Sequence, residues 1–430
     1  MSKLATNIKA AKAPNYYKSS LVFLILSIAS AAFNYAYYPV IARFLSPSEF
    51  GAVQALIAIL LQVGAIFSGL NLVTIYVVNK LDLGSAKTAV LILQKLTTSV
   101  FVAATLAVTL FQTAVLHFLN IDNRLYIFIL ALDLITTIPF IIAFGYLQAR
   151  RQFATAGSLQ LAVVLVKLLF GALLAKRFGA SGALAGIAVG QTLGMFVFWA
   201  VGSFYKVQLW DHKVLAGLSP PKLGELRILA PLAKPATAIF LVNVTLVIYI
   251  SFSIIAVRHY FEPRLSGLFT GASVLASAII FVCLPLIGVL LPHLSLKNLA
   301  ASRSDLAKTT AMVLAVALGS VIFLNIFSSQ LLQIFGRDYT AMSYLITRLA
   351  IMTSLIAALC LALQVGAFYA PLRSAIISIA GLLTLAISVA SDHSSLVSFV
   401  STMQAVFATI LLVAILQIIW IYNRGSRQEY

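Results

Sequence analysis

Charge and cysteine are what this sequence has least of. Only 9% of its 430 residues are charged, while 62% are hydrophobic. A soluble chain of this length carries roughly 25% charged residues to cover its surface, so a soluble globular fold is excluded. The two cysteines, Cys283 and Cys360, both sit inside apolar runs, which excludes a disulfide framework and a thiolate metal site. The five histidines form no ligand-like cluster, and neither metal nor cofactor is expected. Acidic residues are scarcer than basic ones, 11 against 29. That excess does not point to nucleic acid, because the bases are spread between apolar blocks and no nucleic-acid motif appears.

What is present is a succession of apolar blocks, each about 20 residues or more, the length of a membrane span. They predict helices at approximately 20–42, 50–78, 88–116, 125–147, 156–175 and 182–205. After a polar, proline-containing connection from Lys206 to Lys234, six more follow at 235–257, 266–291, 308–327, 340–366, 371–390 and 397–422. The N-terminal lysines followed by Leu21 and its apolar neighbours resemble a cleavable leader. The apolar run continues through Tyr35, Tyr37 and Tyr38 to Ala42, however, and full span length marks a retained first helix.

Basic residues set the expected orientation. Of the 29 Lys and Arg, three (Lys95, Lys167 and Arg348) fall inside helices, and seven (Arg43, Arg124, Lys176, Arg177, Arg258, Arg264 and Arg337) fall on the side opposite the N-terminus. The other 19 lie on the N-terminal side, so both termini are expected in the cytoplasm.

The chain also repeats. A shift of 216 residues superposes Pro47 on Pro263, Gly51 on Gly267 and Asp122 on Asp338, together with Leu147-Gln148 on Leu363-Gln364. The offset spans six helices plus the connection, so the two copies share an orientation. The expectation is an all-α integral membrane protein of about twelve transmembrane helices. Its two parallel six-helix lobes, 1–205 and 235–430, would be joined by a cytoplasmic linker at 206–234 and surround a central cavity.

The turn between the first two helices reads Ala42-Arg43-Phe44-Leu45-Ser46-Pro47-Ser48-Glu49-Phe50-Gly51. It resembles the A-R-x-L-x-P-x-x-F-G signature of polysaccharide (O-antigen type) flippases, within the multidrug/oligosaccharidyl-lipid/polysaccharide exporter superfamily. Gly179 to Gly186 is similar to that family's small-residue start of helix 6. Leu331 to Tyr339 is similar to its L-x-x-x-F-G-x-x-Y approach to helix 10. On physical grounds Pro47, Gly51, Gly182 and Gly186 are read as turn and packing residues.

Intramembrane charge marks functional candidates. Asp133, Lys167 and Arg348 are expected near one level, and Lys95 nearer the cytoplasmic side. The resemblance implies a polyprenyl-diphosphate-linked glycan as substrate, whose diphosphate Lys167 and Arg348 would hold from opposite lobes. Asp133 and Lys167 can equally form a structural ion pair. Asn34 and Asn243, in the equivalent helices 1 and 7, could meet sugar hydroxyls or bond neighbouring helices. The resemblance thus implies a flippase of the cell membrane, acting in cell-surface polysaccharide biosynthesis. Membrane lipid, a polysaccharide polymerase and glycosyltransferases would be its partners.

Two other classes compete. A cation-coupled multidrug exporter of the same superfamily needs intramembrane carboxylates, and helices 1, 2 and 7 have none in their interiors. A membrane enzyme of polysaccharide assembly needs a catalytic outer loop, and no outer loop exceeds about ten residues. A non-enzymatic transporter is therefore expected.

Overall fold

The computed structural model describes residues 16–80, 83–149, 153–204, 233–290 and 299–425. Most of the Lys206–Lys234 connection, and residues 1–15, lie outside the described residues. Among the described residues twelve long helices follow one another, beginning with α1 (Tyr16–Ala42), α2 (Pro47–Lys80), α3 (Leu83–Leu110) and α4 (Leu125–Ala149). The Phe153–Phe204 segment is broken at Gly179 into α5 (153–178) and α6 (180–204). The second set is α7 (Ala233–Tyr260), α8 (Pro263–Leu290), α9 (Leu299–Leu332), α10 (Ser343–Tyr369), α11 (Pro371–Ser391) and α12 (Leu396–Gly425). A short helix, Gln112–Phe118, continues α3 after a 72° bend, and a 3₁₀ turn, Arg337–Met342, leads into α10. By length and composition, nine described helices can cross a membrane, or ten if the bent pair is one span.

Local chemistry sets the boundaries. Ser46 and Glu49 cap the start of α2 reciprocally: the Ser46 backbone N–H donates to Glu49 Oε2 (3.0 Å), and the Glu49 N–H donates to Ser46 Oγ (3.3 Å). Pro47 between them occupies the first helical position, where a missing N–H costs nothing. Between α5 and α6 the chain reverses at one residue, Gly179, with φ +58° and ψ −140°. A side chain is strained there, and an added Cβ would also lie 3.0 Å from Glu49 Oε1.

The lobes meet through α1 and α2 on one side and α7 and α8 on the other. Their shared axis is marked by the two repeat-related glycines. A Cβ on Gly51 would stand 2.9 Å from Gly267 Cα, and one on Gly267 only 1.6 Å from the Pro47 carbonyl oxygen. With lipid tails as apolar as leucine, this close backbone contact, rather than water exclusion, favours helix association.

All the turns between odd- and even-numbered helices lie at one end, where the flippase-like segments pack on each other. Phe50 packs edge-on against Phe335 (6.2 Å) and Tyr339 (5.8 Å), and Arg43 Nε donates to the Ile334 carbonyl (2.8 Å). Arg258, on α7 and almost wholly buried, donates to the carbonyls of Leu119 (2.8 Å), Asn120 (2.8 Å) and Ser48 (3.2 Å), all in the first lobe. Asn120, with a positive φ of 51°, returns its side-chain amide to the carbonyls of Arg258 and His259. That end is closed.

Candidate functional site

The polar interior of the first lobe is assembled from four helices. Glycines spaced four apart on α6 bring it against α5. A Cβ on Gly186 would lie 2.3 Å from Gly171 Cα, and one on Gly190 only 2.5 Å from Lys167 Cβ. Lys167 is thereby pressed towards α1. Its ammonium donates to Asn34 Oδ1 (2.8 Å) and stands over the rings of Tyr37 (4.4 Å) and Tyr38 (6.0 Å). A hydrogen bond plus two ring faces gives the cation company at a level where water is scarce. Tyr37 is fixed in turn, donating its hydroxyl to the Ala183 carbonyl (2.6 Å).

Asp133 faces the same interior from α4. It is fully buried, no side chain donates a hydrogen bond to its carboxylate, and the Ala188 backbone N–H and the Lys167 ammonium lie within electrostatic range. One turn along, the Thr137 hydroxyl lies 2.6 Å from the Asp133 carbonyl oxygen and 2.5 Å from Gln191 Oε1 on α6. Asn34, Asp133 and Lys167 are thus brought into one cluster, which Tyr37 and Gln191 complete. The chemistry available is that of a buried acid and base sharing a small polar chamber, able to hold or exchange a proton.

The other three candidates stand apart. Lys95 is half-buried on α3. Asn243 donates to the Ile239 carbonyl one turn back on its own helix (2.9 Å). Arg348 is exposed on α10, where it donates through Nη1 to Ser401 Oγ on α12 (2.9 Å). Among the described residues, no group of three His, Cys, Asp or Glu could hold a metal ion.

Between the lobes lies a small pocket of about 50 Å³, partly open to the outside. Its described walls are apolar with scattered neutral polar groups. Ile57, Leu61, Phe281 and Met352 alternate with Gln54, Ser251, Ser277 and Thr353. None of the six candidate residues lines it, though Tyr38, beneath the Lys167 ammonium, does. A hydrogen bond from Gln62 to Ser251 (3.1 Å) and one from Tyr35 to the Val274 carbonyl (3.2 Å) cross from lobe to lobe beside it.

Sequence reasoning missed Tyr37 and Gln191, because tyrosines at a span end read as interface anchors and an isolated glutamine carries no pattern. It also counted Arg258 only as a charge on the side opposite the N-terminus, although its place five residues before the repeat-related Pro263 was visible.

No protein-family model and no curated protein matches the chain. Solved structures do. An inward-facing transporter of the multidrug resistance MATE family of the MOP superfamily superposes with a TM-score of 0.67 at 14% identity, over 95% of this chain and 98% of that one. An outward-facing member gives 0.64 at 14% identity, over 96% of each chain. A mutant of a Vibrio cholerae MATE transporter gives 0.60 at 12%, again over 96% of each. At such identities the likeness is one of architecture: this chain has the all-helical, two-lobe fold of MATE transporters.

Proposed function

We propose that this chain is an alternating-access exporter of amphipathic, largely apolar solutes, with Asp133 and Lys167 as its coupling pair. The observation that carries the reading is the inter-lobe pocket, walled by aliphatic, aromatic and hydroxyl side chains with no charge among its described residues. Such a lining suits an apolar surface better than a diphosphate, which needs charged or multiple N–H partners. Beside it, the Lys167 ammonium is held by Asn34 and the tyrosine faces within electrostatic range of Asp133, so protonation of the carboxylate would remove the attraction between the two. Tyr38 belongs to both the pocket wall and the Lys167 surroundings, which makes it the link between cargo and proton. The orientation that follows from the basic residues has both termini in the cytoplasm of a cell membrane and the closed end outside.

The test uses purified protein in liposomes under an imposed proton gradient, with ethidium as the reporter. Ethidium should move against its gradient with the wild type and stay at the control level with Asp133→Asn. Equal movement by both would remove Asp133 from the coupling.

A second reading, the lipid-linked oligosaccharide flippase, has its own support. The Arg43-to-Gly51 and Leu331-to-Tyr339 segments resemble that family's, and α1 presents Asn34 paired with a cation rather than a carboxylate. Under this reading the sugar–diphosphate head is the cargo, and polymerase and glycosyltransferases are partners. Liposomes that leave ethidium unmoved but translocate a fluorescent polyprenyl-diphosphate glycan would favour it.

A further inference from the structure

The 216-residue repeat can be followed side chain by side chain along α4 and α10. It superposes Phe128, Leu132 and Ile135 on Tyr344, Arg348 and Ile351. Each trio is spaced four and then three residues, so it forms one stripe along a helix face. On α4 the stripe is 53%, 50% and 51% exposed and wholly apolar, the composition of a surface that faces lipid. On α10 it is exposed too, with Tyr344 at 58% and Ile351 at 41%, but an arginine replaces the central leucine. The adjacent residues of the repeat, Asp133 and Leu349, are both fully buried. The arginine therefore stands on the lateral surface of the second lobe and not in its interior.

A guanidinium on a lipid-facing stripe calls for an anion. No described carboxylate forms an ion pair with Arg348. Its one side-chain bond is to the neutral Ser401, which leaves most of its five N–H donors unused. Polar side chains on both flanking helices bond residues 347 and 348. Thr347 donates to Asn325 Oδ1 on α9 (2.7 Å), an arrangement that leaves the Asn325 amide N–H₂ free to donate. Gln404 on α12 holds the Arg348 backbone carbonyl (2.7 Å). Arg348 is five residues past the start of α10, about 8 Å along its axis. From there the side chain can reach the level of the phosphates of the adjoining leaflet.

We infer that Arg348, with Asn325 and Ser401, forms a lateral site for the phosphate of an anionic phospholipid. The lipid's acyl chains lie along Ile351 and the exposed Ile322 of α9. Charge complementarity selects the head group, and the surrounding apolar exposure selects a lipid over a soluble anion. The site is independent of whichever cargo occupies the inter-lobe pocket.

The test is photo-crosslinking of the full-length protein in phosphatidylcholine vesicles doped with phosphatidylglycerol carrying a photoreactive acyl chain, followed by peptide mapping. Adducts should concentrate on α9, α10 and α12 near Arg348, with the α4 stripe at background. Arg348→Gln should lower the α10 adducts about tenfold, the loss expected for charge-assisted hydrogen bonds. Arg348→Lys should keep a larger share, and Leu132→Arg should raise labelling on α4. Asn325→Leu, which retains the charge, should lower labelling by a smaller factor and supplies a second arm if Arg348→Gln does not accumulate. Equal labelling of α4 and α10 in the wild type, no change in Arg348→Gln or Asn325→Leu, or full displacement by inorganic phosphate would each overturn the phospholipid site.

Discussion

On the repeat-related helices α4 and α10 the first lobe places its charge inside and the second places it outside. In the first, Asp133 and Lys167 sit among Asn34, Tyr37 and Gln191. In the second, the residue equivalent to Asp133 is Leu349, and apart from Arg258 at the closed end the buried polar contacts are between neutral groups. Tyr249 donates to the Ser378 carbonyl (2.6 Å), and Gln417 donates to Ser374 (2.9 Å). The charge on α10 has moved one residue earlier, to Arg348. One residue is 100° around a helix, enough to turn a side chain from the bundle interior to its lipid face. Depth along a span and direction around it are separate properties, and function depends on both.

What the lobes share should be the hardest thing to break. Gly267→Val forces a side chain onto the Pro47 carbonyl at the common axis, and we expect a loss of about 3 kcal/mol or more and little folded protein. Thermal melting in detergent measures it, and a normal melting curve would mean that the helices separate there freely. The difference between lobes is probed next. Lys167→Met leaves Asp133 buried without its cation and should cost about 3 kcal/mol, most of it recovered by adding Asp133→Leu. Arg348→Gln, by contrast, should shift melting by no more than about 0.5 kcal/mol. Comparable losses at both positions would erase the contrast.

A smaller effect is expected at the clasp between the lobes. Arg258→Ala removes the bonds to Leu119, Asn120 and Ser48, and should shift the balance towards a separated outer end by about 2 kcal/mol. Spin labels at Asn123 and Arg264 should then gain a longer-distance population; an unchanged distribution would remove Arg258 as a clasp. The smallest effect concerns how paired helices are joined. α5 and α6 turn at Gly179 alone, whereas α11 and α12 are joined by a loop whose Asp392 accepts hydrogen bonds from Ser394, Ser398 and Thr402. Those bonds hold its carboxyl below the ordinary aspartate range. The stabilisation is therefore complete above that range and fades as pH falls through the lowered value. Asp392→Asn should flatten this slight acid-side drop in melting temperature, and identical pH profiles would show that the loop carries no such linkage.

Much of the fold was legible because the membrane imposes one rule, a run of apolar residues for each span, and Pro47 and Pro263 mark helix starts as expected. The ends were less so. α9 begins at Leu299, well before its apolar stretch at 308–327, since the polar turn at Arg303–Lys308 still forms helix, and its helical geometry breaks at Phe327, where that stretch ends. The bend after Leu110 has no proline or glycine to announce it. At the site, Asp133 and Lys167 stood out as charges, but the choice of Asn34 as the lysine's partner depends on how closely α5 approaches α1. That approach is set by glycines on α5 itself, Gly157 and Gly171, where an added Cβ would meet Leu26 and Tyr37 of α1. Arg348 and Asp133 could not be told apart by depth; the repeat held the answer in Leu132 and Leu349, at single-residue resolution.

The contact of Gly51 with Gly267 has a consequence for the symmetry of the molecule. A residue meeting its own repeat image across an axis is what an isologous dimer interface does, here folded into a single chain. The surface is self-complementary, so a copy of the first six helices carries on its own the shape needed to pair with a second copy of itself. Divergence of the halves is free to proceed at Asp133 and Arg348, far from that axis, while at the axis each half constrains the other to remain small.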